Sequence, residues 1–230
     1  MLKLFVDRFR FFKVITFALV LSTTAVFAIF ANASPYEEGT HYVLLEVPIQ
    51  TPNSSVVEVT EYFSYGCPHC YRFEPLVSRW KQSLSEDVVF NRSPAVWSVT
   101  GYELYARTYY TAKALGMLEK VHLPLFSAIH SERRRLVDLK SMTEFMAENG
   151  VDPEKFVKTF NDSFGVKAMY QQAIARQQIY RSSGVPALII NGKYRIEAAM
   201  VDNSNANMLK VADFLIERER RLKPVGTENE

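Results

Sequence analysis

Residues 61 to 75 read EYFSYGCPHCYRFEP and hold both cysteines of the 230-residue chain, Cys67 and Cys70. Only Pro68 and His69 separate them. Such a pair is a structural bridge, half of a metal site, or a pair of working thiols. A bridge over two residues closes a very small loop and restricts the unfolded chain little. A metal site needs more donors than two thiolates. The chain offers no second CxxC and no His-x-x-x-His, and His41, His122 and His130 read as surface or packing residues. Thiol chemistry is the reading carried forward, with the bridge and the metal site as its rivals.

Working outward, residues 56–64 (VVEVTEYFS) are rich in β-branched and aromatic side chains and read as a strand. Alternation puts Val57, Val59, Glu61 and Phe63 on one face. Glu61 there is either an edge residue reaching water or a buried acid with a raised pKa. After Cys67 the apolar residues Phe73, Leu76, Val77, Trp80 and Leu84 recur at helical spacing. Pro68 suits the first turn, where its missing N–H is no loss, so Cys67 stands at a helix N-terminus. The helix dipole favours an anion there, and His69 adds a donor or a positive charge. A stabilised thiolate at Cys67 weakens a Cys67–Cys70 disulfide, which makes the oxidised pair a disulfide donor. Cys70, one turn on, is the resolving thiol, and Glu61 is placed to take its proton.

The N-terminus decides the compartment. Lys3, Arg8, Arg10 and Lys13 precede an apolar run over residues 14–30, and Ala31-Asn32-Ala33 follows. These are the parts of a secretory signal peptide, residues 1–33; an uncleaved membrane anchor is the alternative. Four of the 27 basic side chains and one of the 25 acids fall in that segment, so the remaining chain carries 23 against 24. It is nearly neutral, which argues against a nucleic-acid partner. Export also places the cysteines where disulfides persist.

Along the rest of the chain, residues 41–46 (HYVLLE) and 87–90 (DVVF) read as strands. From about residue 101 to 182 the composition turns helical: one helix ending near Gly116, one capped by Ser141 with Glu144, one opened by Asp152-Pro153, and one over residues 164–181. Strands return at 187–190 (ALII) and 194–196, joined by Asn191-Gly192, a strong hairpin signal. A last helix covers about residues 203–222, and the tail, residues 223–230, reads as disordered. The fold class is α/β with an all-helical insertion. Pro186, just before the ALII strand, is either cis, exposing the Val185 backbone to an extended peptide, or an ordinary trans proline.

The stretches FSYGCPHCYRFEP and SGVPALIINGKY resemble the DsbA family of periplasmic thiol-disulfide oxidoreductases, as do the opening PYEEGTHYVLLEVP and the LGMLEKVHLPLFSAIH segment. The resemblance implies a thioredoxin fold in two parts, residues 34–98 and 182–222, interrupted by a helical insertion at residues 99–181. By motif match it makes Cys67, after which Pro68 stands, the attacking thiol and Cys70 the resolving one. It makes His69 a stabiliser of the thiolate and Glu61 the buried acid. Pro186 becomes a cis-proline, and Val185 with it a substrate-binding position. It further implies reduced exported polypeptides as substrates and a quinone-linked inner-membrane reoxidase of the DsbB kind as partner. The expected protein is a periplasmic monomer that needs no metal or organic cofactor. An isomerase or reductase of the same fold and a peptide-binding chaperone with incidental cysteines are the alternatives. Gly66 departs from the family pattern, where the best-known member has an aromatic, and predicts a flatter or more flexible rim.

Overall fold

The computed structural model describes residues 34–97 and 101–223. The expected signal segment, the first residues of the expected insertion (99–100) and the expected tail from residue 224 lie outside the described residues. The description below concerns the compact unit that begins at Glu38.

Five strands make one sheet: β1 (Val43–Leu44), β2 (Val57–Phe63), β3 (Val88–Pro94), β4 (Ala187–Ile190) and β5 (Tyr194–Glu197). Their spatial order is β1-β5-β4-β2-β3, with β2 and β3 parallel and the other pairs antiparallel. The β2–β3 connection contains α1 (Pro68–Ser83), as a parallel pair requires a crossover. Between β3 and β4 the chain forms α2 (Tyr102–Ala114), α3 (Leu118–His130), α4 (Leu139–Glu148), α5 (Pro153–Asp162) and α6 (Phe164–Tyr180). The last helix, α7 (Asn205–Leu222), packs on α1, β4 and β5. This is a thioredoxin-type sheet with helices inserted between β3 and β4. No described helix is long and apolar enough to cross a membrane.

Burial follows from the strand pattern. β2 lies between β3 and β4, so both of its edges are paired, and Val57, Val59, Glu61, Tyr62 and Phe63, which alternate between the two faces, are all buried. Phe63 heads an aromatic cluster with Tyr65, Tyr109, His122 and Phe126, ring centroids 5.2 to 6.0 Å away, which seats α2 and α3 over the end of β2.

Three sequence expectations need correction. The strand expected at 41–46 shrinks to Val43–Leu44, a sheet edge with only β5 beside it. The helix expected to start at Ser141 begins at Leu139, because Asp138 is the cap: its carboxylate accepts from the Ser141 N–H at 2.8 Å, and Ser141 is the third helical residue. The α3 helix was not anticipated; Pro124 in its interior interrupts the usual signals, yet Val121, His122, Leu125 and Phe126 face the core.

The hairpin signal holds. Asn191 and Gly192 have φ of 49° and 63°, the left-handed pair a tight hairpin turn requires. A Cβ at residue 192 would stand 2.1 Å from the Ile49 carbonyl oxygen, while the Gly192 carbonyl accepts from Ile49 N–H at 2.8 Å. Gly192→Ala is therefore expected to lower stability by roughly 1–3 kcal/mol, the left-handed strain adding to the clash. Urea unfolding checks this, with Gly165→Ala in α6, which meets only Ser163 Oγ at 3.7 Å, as the near-neutral control.

Candidate active site

The Ser64–Cys67 segment turns the chain from β2 into α1. Cys67 N–H donates to Ser64 O at 3.1 Å and Gly66 N–H to Ser64 Oγ at 3.1 Å. Cys67 is the N-cap of α1 with extended backbone, and Pro68 occupies the first helical position. Both cysteines are free thiols; Cys67 is 8% exposed and Cys70 fully buried.

The two sulfurs sit in opposite electrostatic circumstances. A hydrogen bond from the Cys70 thiol is the largest influence on Cys67, followed by burial, which opposes it, and by the N–H groups of Cys70 and His69 and the His69 charge; together they lower Cys67 from 9.0 to about 6. Burial pushes Cys70 well above the ordinary thiol range, and the Cys67 sulfur and the Glu61 charge push the same way. The pair thus favours one thiolate at Cys67 and one proton kept on Cys70. His69 plays a smaller part than its position suggests. It is exposed, and its Nδ1 lies 3.0 Å from the Arg72 guanidinium.

From the start of β4, which pairs with the end of β2, the Val185 carbonyl meets Cys67 Sγ at 3.3 Å, and the Val185–Pro186 peptide is cis. Beside it a cavity of about 440 Å³ is lined by His69, Arg72, Val185, Pro186, Glu197 and Asn203.

Glu61 is not an edge residue: it is fully buried, directly opposite Arg92 in the parallel β2–β3 pair. Arg92 Nε donates to Glu61 Oε2 at 2.8 Å, and its other nitrogen donates to Glu74 Oε1 at 2.7 Å. Glu74 also accepts from Ser78 Oγ at 2.7 Å and faces His122 Nε2 at 3.3 Å. The Glu74 carboxylate can only accept, so the His122 ring proton lies on Nε2, and Nδ1 accepts from the Tyr65 hydroxyl at 2.7 Å. Burial keeps His122 below its ordinary pKa and hence neutral. Burial works against the Glu74 charge, but His122, Arg92 and Ser78 outweigh it and hold Glu74 low. Burial lifts Glu61 from 4.5 to about 7 against the pull of Arg92, with the Glu74 charge adding to the rise. One cation thus serves two carboxylates, and the second holds its proton near neutrality.

Sequence reasoning found the cysteines, Pro68, His69, Glu61 and the Val185–Pro186 pair, and the structure brings them to one end of the sheet. It missed Arg92, Glu74, His122 and Tyr65. Glu74 carried a signal, since it lies four residues after Cys70 on the same helix face. Gly66 is also clarified. A Cβ there would meet the Tyr105 ring of α2 at 3.0 Å, so an aromatic from the helical region packs against this position. Among the described residues no three His, Cys, Asp or Glu side chains group as metal ligands.

Residues 77–212 match the family described as DSBA-like thioredoxin domain. The chain is 38% identical over 205 residues to the thiol:disulfide interchange protein DsbA of Pseudomonas aeruginosa PAO1, covering 87% of this chain and 94% of that protein. It is 38% identical over 206 residues to the protein of the same name from Azotobacter vinelandii, covering 87% and 95%. Among solved structures, the crystal structure of Pseudomonas aeruginosa DsbA superposes with a TM-score of 0.76 over 81% of this chain and 95% of that one, at 38% identity. The oxidoreductase DsbA from Xylella fastidiosa gives 0.76 over 82% and 100%, at 31% identity.

The buried acid sets a pH test. Below pH 4.5 the folded and unfolded states both hold the Glu61 proton; as pH rises to about 7 only the unfolded state releases it freely, so the folded state loses stability across that window. Glu61→Gln removes this loss. In the oxidised protein, the stability of the variant relative to wild type is expected to rise by on the order of 1–3 kcal/mol between pH 4.5 and pH 8. Urea unfolding at each pH measures it, and a flat difference would mean that Glu61 is ionised throughout.

Proposed function

This chain belongs to the DSBA-like thioredoxin domain family and is a thiol:disulfide oxidoreductase, and on that premise we propose that it is a donor of disulfides to reduced polypeptides exported to the periplasm. The observation that carries the reading is the opposed protonation of the two cysteines: Cys67 lowered to about 6 at the head of α1, Cys70 raised in the interior behind it.

The oxidised protein carries the Cys67–Cys70 disulfide. A substrate thiolate attacks Cys67 Sγ, its electron pair forms the new S–S bond, and Cys70 leaves as a thiolate. Cys70 is deeply buried and takes a proton, with the Glu61 carboxyl, itself titrating near neutrality, as the source directly or through water. A second substrate thiolate then attacks the substrate sulfur of the mixed disulfide, and Cys67 departs as the thiolate its surroundings favour. The substrate loses two electrons and the cysteine pair gains them. Exchange is faster the more acidic the departing thiol, and each unit of depression is worth about 1.4 kcal/mol toward the thiolate. The Val185 backbone beside the cis peptide bond is the position at which an extended substrate backbone pairs next to Cys67.

The assignment extends to the chain as a whole. Residues 99–181 are an insertion in a thioredoxin domain built from residues 34–98 and 182–222, residues 1–33 direct export, and a quinone-linked inner-membrane protein reoxidises the two cysteines.

Equilibration with glutathione redox buffers, read by thiol alkylation, tests the donor direction. The Cys67–Cys70 disulfide is expected to be far more oxidising than glutathione; a potential near that of thioredoxin would make the protein a reductase. Cys67→Ser should abolish disulfide transfer to a reduced protein, while Cys70→Ser, with glutathione disulfide in the buffer as the oxidant, should accumulate a Cys67–glutathione mixed disulfide, seen as a mass increase that a reductant removes.

A further inference from the structure

The Val185 carbonyl stands against Cys67, but the segment that carries it has little backbone support. Residues 182–185 make no backbone–backbone hydrogen bond among the described residues. What holds them is one carboxylate. Glu197, at the end of β5, is buried; its Oε1 accepts from Ser183 N–H at 3.0 Å and faces Ser182 Oγ at 2.7 Å, and its Oε2 accepts from Ser183 Oγ at 2.6 Å. The Ser182 hydroxyl also lies 2.6 Å from the Gly184 carbonyl, so its single proton is shared between two acceptors. Arg195, two residues earlier and therefore on the same face of β5, lies 3.1 Å from Glu197 and donates to the Tyr180 carbonyl at 2.6 Å and to that of Arg181. The end of α6 and the turn that follows it are thus hung from two side chains of one strand.

We propose that Glu197 is a positioning residue for thiol exchange: by gripping Ser182 and Ser183 from β5 it fixes the Val185 carbonyl against Cys67 Sγ. The inference rests on Cys67 being the reactive thiol. Its chemical consequence has a definite sign. A carbonyl oxygen accepts from a protonated thiol and repels a thiolate, so it favours the thiol form. Releasing the turn frees Cys67 from that oxygen, and the thiolate becomes easier to form. It also leaves the Val185 backbone less ordered for an incoming peptide.

The test is the pH titration of thiolate absorbance at 240 nm in the reduced full-length protein, for Glu197→Gln, Glu197→Ala and the double variant Ser182→Ala/Ser183→Ala. The Cys67 midpoint is expected to fall by about half a unit in all three, and, in the oxidised protein, attack of a reduced peptide on the Cys67–Cys70 disulfide to slow by roughly five- to tenfold. The serine variant keeps the carboxylate and its charge. A shift in the Glu197 variants with none in the serine variant would mean that Glu197 acts through its charge alone, and would overturn the proposal. So would an unmoved midpoint in all of them. Glu197→Gln and the serine variant carry the test if Glu197→Ala does not fold. Because the titration uses no substrate, a wild-type protein that transfers no disulfides would overturn the donor reading while leaving the grip on Val185 measurable.

Discussion

The guanidinium of Arg92 is the interaction on which the rest of the site depends. It extends from β3, takes Glu61 of β2 with one nitrogen and Glu74 of α1 with another, and so ties two strands and the helix that carries both cysteines. Two carboxylates and one cation cannot all be charged cheaply in the interior, because each buried charge costs several kcal/mol unless compensated. The sharing is unequal. Glu74 has Ser78 and His122 besides Arg92, so it keeps its charge, whereas Glu61 has Arg92 alone and an oxygen without a partner among the described residues. The proton left on Glu61 near neutrality is the outcome of that competition.

The same logic of unequal surroundings separates the two cysteines. They are one helical turn apart, yet Cys67 meets helix N–H groups and a thiol donor, and Cys70 meets the interior, the Cys67 sulfur and the Glu61 charge. A helix N-terminus stabilises an anion by tenths of a kcal/mol when exposed, and by more when partly buried. Here it acts on a residue with 8% exposure, where water screens little. The acid–base character of the site therefore arises from where β2 ends and α1 begins, and His69 modifies it from outside.

What the sequence made legible was local. The CPHC motif, the strand before it, the helix after it and the hairpin at Asn191-Gly192 each rest on contacts within a few residues, and all are present in the fold. The helix α3 escaped because Pro124 breaks the local pattern while the core contacts of Phe126 and His122 sustain the helix from a distance. Ser141 looked like a cap because its own capping box was plausible, and Asp138 won by offering a charged acceptor to the same N–H. The Arg92 network and the Glu197 grip were invisible for a different reason. Their partners come together only through strand register and through turns far along the chain, and no spacing rule reports that Glu61 will stand opposite Arg92.

The contact between Cys67 and Val185 spans 118 residues. A chain emerges from its N-terminus at ~5–20 residues per second, so roughly ten seconds of synthesis separate the two. During that interval β2 has no β4 beside it, and Cys67 has neither the carbonyl nor the strand pairing that will later surround it. Biogenesis thus completes this site last, with the short stretch from Ser182 to Glu197. A chain cut off within the helical region already carries both cysteines and the Tyr105 ring, but it is a thiol pair without the sheet that disciplines it. Quality control of such fragments has to reckon with a reactive motif that is made long before its restraint.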